Sequence, residues 1–249
     1  MPLMIKVKFI FAAILMLAFF WPGKCCLAQE DKPVWQREFS AGFNQATGNT
    51  QNSQISADLS ANRKTSYDEW TVKGSTFYSS QNKKMDGQKH AGALRYAFSF
   101  WQRRWYNFYK FAAEHDKFAK IDYRLIPSTG AGYWFSDTET MRFMMELGFG
   151  AEHTDYTDST KRKTDTIVLP RAFFQKKVFA DSTFEQDVTL FFNLSEGDEY
   201  RLRSETRLNN PLSDKILLRL SFVDEFDSNP PQAAKKNDTR TILSLVYSF

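Results

Sequence analysis

Cysteine is nearly missing from this chain of 249 residues: two occur, Cys25 and Cys26, side by side near the start. Histidine is scarce as well, with three, at positions 90, 115 and 153. No apolar run is long enough to cross a membrane as a helix. The stretch "FIFAAILMLAFFW" from Phe9 to Trp21 has 13 residues, whereas a spanning helix needs about 20. An excess of one charge is also lacking once the ends are separated. Lys+Arg is 33 against 29 Asp+Glu, but Lys6, Lys8 and Lys24 fall in residues 1–28 with no acid, which leaves 30 against 29, or +1, for the remainder. Such a balance offers no electrostatic footprint for nucleic acid, which is not expected as a partner.

The first 28 residues have the layout of a secretory signal peptide. Lys6 and Lys8 precede the apolar run, and the short side chains of "CCLA" precede Gln29, so cleavage is expected after Ala28. A lipoprotein with Cys25 or Cys26 acylated is the alternative, although Lys24 and Cys25 make poor neighbours for that processing. With both cysteines removed, residues 29–249 hold no disulfide, thiol nucleophile or thiolate metal site.

Mean hydropathy is −0.49, which reads as soluble, but alternation says otherwise. A strand sends successive side chains to opposite faces, and a membrane barrel needs about 9–11 such residues per crossing, apolar outward and polar inward. Twelve segments fit: 34–46, 52–63, 67–79, 89–100, 104–114, 121–135, 139–151, 165–177, 182–193, 198–208, 214–226 and 238–249. In "KILLRLSFVDEF", Ile216, Leu218, Leu220 and Phe222 oppose Lys215, Arg219 and Glu225. Pro170 interrupts "IVLPRAFF", and the faces of 165–177 stay open. The expected fold is all-β, an antiparallel transmembrane barrel of about 12 strands over residues 29–249.

Connections and aromatics point the same way. Links such as "SDTE" and "NNPLSD" are short, whereas "SSQNKKMDGQK", "EHTDYTDSTKRKTD" and "FDSNPPQAAKKND" read as long polar loops. Outer-membrane barrels keep their short turns in the periplasm. Trp35, Trp70, Phe98, Phe100, Trp105, Tyr133, Phe135 and Phe249 gather at the short-turn ends, and Phe43, Tyr78, Phe111, Phe149, Phe192 and Phe222 towards the other. Two girdles are therefore expected; a soluble barrel with an aromatic core is the competing arrangement. The chain ends "TILSLVYSF", with Leu245 expected to face lipid and Ser244 the lumen. That strand needs a partner, and pairing it with the first strand closes the cylinder.

Catalysis is not expected. An outer-membrane lipid hydrolase, the nearest enzymatic alternative, would need a serine two positions after a histidine. "KHAG", "EHDK" and "EHTD" supply none. No two histidines share a spacing that one strand would bring together, so neither metal nor cofactor is expected. Function should instead be written on the inward face, where Arg142, Glu146, Arg201, Arg203, Glu205, Arg207, Arg219, Glu225 and Arg240 are the expected lumen-lining residues. Basic residues crowd the last three strands. An arginine wall of that kind suits a narrow channel for small polar or anionic solutes, and mutual neutralisation suits a closed structural barrel.

"GNT" at 48–50, "EHDKF" at 114–118, "GAGYWF" at 130–135 and "ELGFG" at 146–150 together resemble domain-of-unknown-function family 481, salt-induced outer-membrane proteins of Gram-negative bacteria. The resemblance covers most of the mature chain. It implies an outer-membrane barrel, surrounded by outer-membrane lipid and linked to salt or envelope stress, and supplies no catalytic residue, ligand or partner. A terminal Phe249 after Tyr247 likewise resembles the signal read by the bacterial barrel-assembly machinery, the partner implied during biogenesis.

Overall fold

The structure, a computed structural model, describes residues 35–46, 52–101, 103–157, 162–179, 181–197, 199–230 and 235–249. The expected signal peptide, the competing acylated cysteines and the "GNT" turn lie outside them. Twelve antiparallel strands follow in order: β1 Trp35–Ala46, β2 Asn52–Lys64, β3 Asp68–Gln81, β4 Lys84–Phe100, β5 Trp105–Asp116, β6 Ile121–Asp137, β7 Met141–Tyr156, β8 Arg162–Phe179, β9 Ser182–Asn193, β10 Tyr200–Pro211, β11 Ile216–Asp227 and β12 Asn237–Ser248. Each pairs with its sequence neighbours, and β12 pairs with β1 to close the barrel.

Closure explains how the chain can end on a strand. The β1–β12 register runs from Glu38↔Ser248 to Gly42↔Ser244. The Phe249 amide donates to the Arg37 carbonyl at 3.0 Å, and the Ser248 amide to that of Lys215 at 2.8 Å. Over these residues the seam's backbone groups are paired rather than left to lipid.

Alternation sorts the faces as the pattern requires. Leu59, Val72, Leu94, Phe111, Leu147, Leu220, Leu243 and Leu245 are exposed on the outer wall, whereas Ser40, Ser56, Glu146, Ser221 and Ser244 are buried inside. Rings contact one another along the short-turn end: Trp105–Tyr133 at 4.9 Å, Tyr133–Phe135 and Phe135–Phe143 at 5.0 Å, Phe143–Phe174 at 6.4 Å and Phe174–Phe184 at 6.5 Å. That run joins β5 to β9 as a belt.

Three expectations need correction. "EHTDYTDSTKRKTD" is mostly strand, with β7 running to Tyr156 and β8 starting at Arg162. The polar "SSQNKKMDGQK" is not a long loop: β3 and β4 continue through it and reverse at Asn82 and Lys83, with φ of 50° and 64°. Both values are those of a two-residue hairpin turn that follows strand twist. A polar strand standing clear of the membrane loses its apolar alternation and so reads as loop. The aromatics are also not confined to girdles. Tyr106 and Phe108 turn inward and pack with Ala97 and Met144, flanked by Trp134 and Phe173.

Glycines on the two faces give a test of register. A Cβ at Gly42 would lie 2.5 Å from Ser56 Oγ and 2.7 Å from Ser244 Oγ, inside the barrel, whereas one at Gly74 meets nothing within 4 Å. Gly42→Leu is therefore expected to abolish the folded, heat-modifiable gel band, and Gly74→Leu to keep it. Equal behaviour would refute the assignment of faces.

Candidate functional site

Among the described residues the lumen is filled by charged side chains, and these groups meet in tiers. At the short-turn end Arg142 bonds Asp137 at 2.9 Å and lies over the Trp134 ring at 4.8 Å. Lys64 of β2 reaches the same Asp137 at 2.8 Å, tying together strands that are not neighbours. Above this mouth lies the inward apolar cluster.

Glu146 forms the next tier. Arg95 of β4 binds it at 2.6 Å, Arg171 of β8 at 2.9 Å, and the Tyr106 hydroxyl donates to it at 2.8 Å. Arg171 also forks onto Asp187, at 2.9 and 2.7 Å. The paired glycines of β6 and β7 make room for this hub. A Cβ at Gly130 would stand 2.2 Å from the Leu147 carbonyl oxygen, and one at Gly132 2.3 Å from the Tyr106 ring. The motifs "GAGYWF" and "ELGFG" thus seat Tyr106 and supply the carboxylate it bonds.

Glu225 of β11 is the second hub. Lys89 reaches it from β4 at 3.1 Å, Arg240 from β12 at 2.8 Å and Arg203 from β10 at 2.5 Å. β3, β2, β1 and β12 separate β4 from β11 on one side, and β5 to β10 on the other, so the Lys89 contact spans the bore. Around it, Arg207 pairs with Glu205 at 2.6 Å and Glu185 at 3.4 Å, and Arg219 with Glu38 at 3.1 Å. Arg124 joins Glu114 at 2.5 Å and Glu152 at 3.1 Å, and Glu152 also binds Arg201.

A cavity of ≈ 640 Å³ opens beyond these pairs at the long-loop end, lined in part by Arg124, Glu152, Lys163, Phe191, Glu199 and Arg201. Burial would push the Glu199 carboxyl up, but hydrogen bonds from Lys163 and Asn229 outweigh it and hold the group down at about 2.

Each arginine expected in the lumen ends on a carboxylate, so the wall on the last three strands is met by acids instead of standing bare. Tyr247 and Phe249 stack with ring centroids 5.9 Å apart at the end of β12. Members not foreseen include Lys64, Asp137, Arg171 and Lys89. Arg171 was hidden by Pro170, which faces outward opposite Leu147, whereas Lys89 shares the period-two face of Arg95, a signal that was there to use.

A model of the family described as "Protein of unknown function, DUF481" matches residues 39–249. The chain belongs to this family. A relative in Escherichia coli (strain K12), "Uncharacterized protein YdiY", is 25% identical over 226 residues, 88% of this chain and 84% of its own. Among solved structures the NanC porin is similar with a TM-score of 0.53 at 10% identity, covering 85% of this chain and 98% of that one. The outer-membrane channel DcaP of Acinetobacter baumannii aligns with a TM-score of 0.44 at 8% identity, over 87% and 96% of the two chains. At 10% identity the likeness to the NanC porin is one of fold alone, a porin-like β-barrel.

Proposed function

We propose that the barrel is a narrow conduit for small polar or anionic solutes across the outer membrane, its long-loop end facing outward and its bore held shut at rest by side-chain ion pairs. The observation that carries this reading is the Lys89–Glu225 bridge. It spans the bore, and its side chains remain 16% and 22% exposed, so this crossing is not sealed from water and rests on a flexible lysine stem. Charge near the hub favours anions: Lys89, Arg124, Arg203 and Arg240 face Glu114, Glu205 and Glu225. Salt shortens the Debye length from about 8 Å at 0.15 M to 3 Å at 1 M and weakens such part-buried pairs only as far as water reaches them, a physical route to the salt linkage that the family resemblance implies.

Single-channel recording of the protein in planar bilayers tests this. Lys89→Ala should raise conductance severalfold, and Glu225→Ala should shift the reversal potential towards anions. Parental conductance should also climb faster with salt than the bulk solution does. Silence from the parent and both variants would leave the closed structural barrel as the answer.

A further inference from the structure

Two lysines in the middle of the lumen take no part in its ion pairs. Lys73 of β3 and Lys110 of β5 both point inward: Lys73 follows outward Val72, and Lys110 stands between outward Tyr109 and Phe111. Neither has a hydrogen bond or an ion pair among the described residues. They flank β4 at successive inward steps, Lys73 beside Ala93 and Lys110 beside Arg95. The two strands lie about 10 Å apart, and the barrel wall curves, so two flexible stems converge towards the axis.

Their level falls between the two hubs. Along β4 the inward residues run Arg95, Ala93, Ala91 and Lys89, of which Arg95 binds Glu146 and Lys89 binds Glu225. Between those two the wall carries small side chains, with Ser75 opposite Ala91 and Ala112 opposite Ala93. Lys73 and Ser75 point inward and yet are exposed, and Lys110 is half-buried. Solvent space therefore reaches them inside the barrel, as a chamber between the hubs.

Charge decides what such a chamber takes. Facing Lys73 are Arg207 and Arg171, then Asp187 and Glu205; facing Lys110 are Arg171, Asp187 and Glu146. Four acids here are already held: Glu146 by Arg95 and Arg171, Asp187 by Arg171, Glu205 by Arg203 and Arg207, and Glu185 by Arg207. Those four arginines and four carboxylates cancel, even though Arg203 is shared with Glu225, which Lys89 and Arg240 also hold. The fifth acid, Asp58, lies opposite Ser75 in register, but its charged neighbours are Glu205, Arg207, Arg219 and Arg203 of β10 and β11. Two ammoniums against Asp58 leave +1.

We infer that this chamber binds one small monovalent carboxylate, with one of its oxygens on each ammonium. Enclosed by a wall of low dielectric, an unbalanced charge draws a counter-ion more strongly than it would in open water. A single negative charge restores neutrality, whereas a dianion would add a second among five acids that keep theirs. Two separate ammoniums also match the two acceptor oxygens of a carboxylate, in charge-assisted hydrogen bonds, better than the single centre of a halide. The inference deepens the conduit reading, and rests on it for the solute's way in.

Lysine signals give a direct test. Protein isolated from outer membranes, isotope-labelled at lysine Cε and held in zwitterionic micelles, is titrated by NMR with the sodium salts of acetate, succinate and chloride. Lys73→Arg and Lys110→Arg assign the two signals. Both are expected to shift saturably with acetate, severalfold more than with succinate or chloride at equal ionic strength. Lys73→Gln should remove most of the shift at Lys110, and Lys110→Gln most of that at Lys73, with the heat-modifiable band kept, since neither side chain braces the wall. A Lys73 response that persists in Lys110→Gln would overturn the shared site. An equal or larger response to succinate overturns the monovalent ligand, and an equal response to chloride overturns the carboxylate. No saturable shift in the parent or in Lys89→Ala, whose upper crossing has lost its lysine, overturns the chamber altogether. Bilayer recordings keep the two readings apart: saturable shifts in a silent barrel overturn the conduit alone, and conductance without shifts overturns the carboxylate site alone.

Discussion

Replacing Glu146 with alanine is expected to destabilise the barrel by about 3–5 kcal/mol, because it leaves a buried cation without its partner. Glu146 is 6% exposed and takes Arg95, Arg171 and the Tyr106 hydroxyl. The loss is not shared equally. Arg171 keeps its fork onto Asp187, whereas Arg95 has no second carboxylate among the described residues and keeps the ring faces of Tyr106 at 5.6 Å and Phe108 at 5.2 Å. The double variant Glu146→Leu, Arg95→Met should therefore recover much of the stability, since it removes both charges and keeps volume. Denaturant unfolding in micelles, followed by tryptophan fluorescence, reads the difference. A Glu146→Ala barrel within about 1 kcal/mol of the parent would mean that the hub is solvated and that the tier does not brace the wall.

That hub also shows how far one chain can be read before folding. Strand number, strand faces and the pairing of first and last strands were legible, because lipid outside and charge inside impose a period of two on every crossing. Contacts made across the bore were not. Lys89 and Glu225 are 136 positions apart, and nothing local marks one for the other. Pro170 hid Arg171 because a proline normally argues against a central strand; here the β8–β9 ladder has no pair at Leu169 or Pro170 and resumes in the same register at Arg171↔Thr189. The histidines were compared along single strands, where no spacing fits, but register places His90 opposite His115. Inward Tyr106 and Phe108 were not legible for a related reason: in "WYNFYKF" both alternate sets carry rings, so ring content cannot say which set meets lipid.

Arginine in place of Leu245 should cost on the order of 2–4 kcal/mol, the range for a cation near the middle of a barrel's lipid face. Leu245 is 52% exposed on β12 and pairs with Ala41 of β1 and Leu218 of β11, so the charge would enter hydrocarbon at the closing seam. Arginine at the neighbouring Ser244 looks on sequence grounds like a mild control, since it would join a charged interior. The structure removes that expectation. Ser244 is 3% exposed, and its Oγ would lie only 2.7 Å from a Cβ placed on Gly42, so a long side chain would overpack the seam. The better control is Leu245→Phe, which adds bulk without charge and should match the parent in lipid. Solvent then decides what mutation alone does not, because a soluble barrel would also suffer from a new charge on a packed apolar face. The parent should refold only when micelles or vesicles cover Leu218, Leu220, Leu243 and Leu245, and should then run as a compact band that slows on boiling. Full refolding in plain buffer, or equal yields of Leu245→Arg and Leu245→Phe in vesicles, would show that this face does not meet lipid.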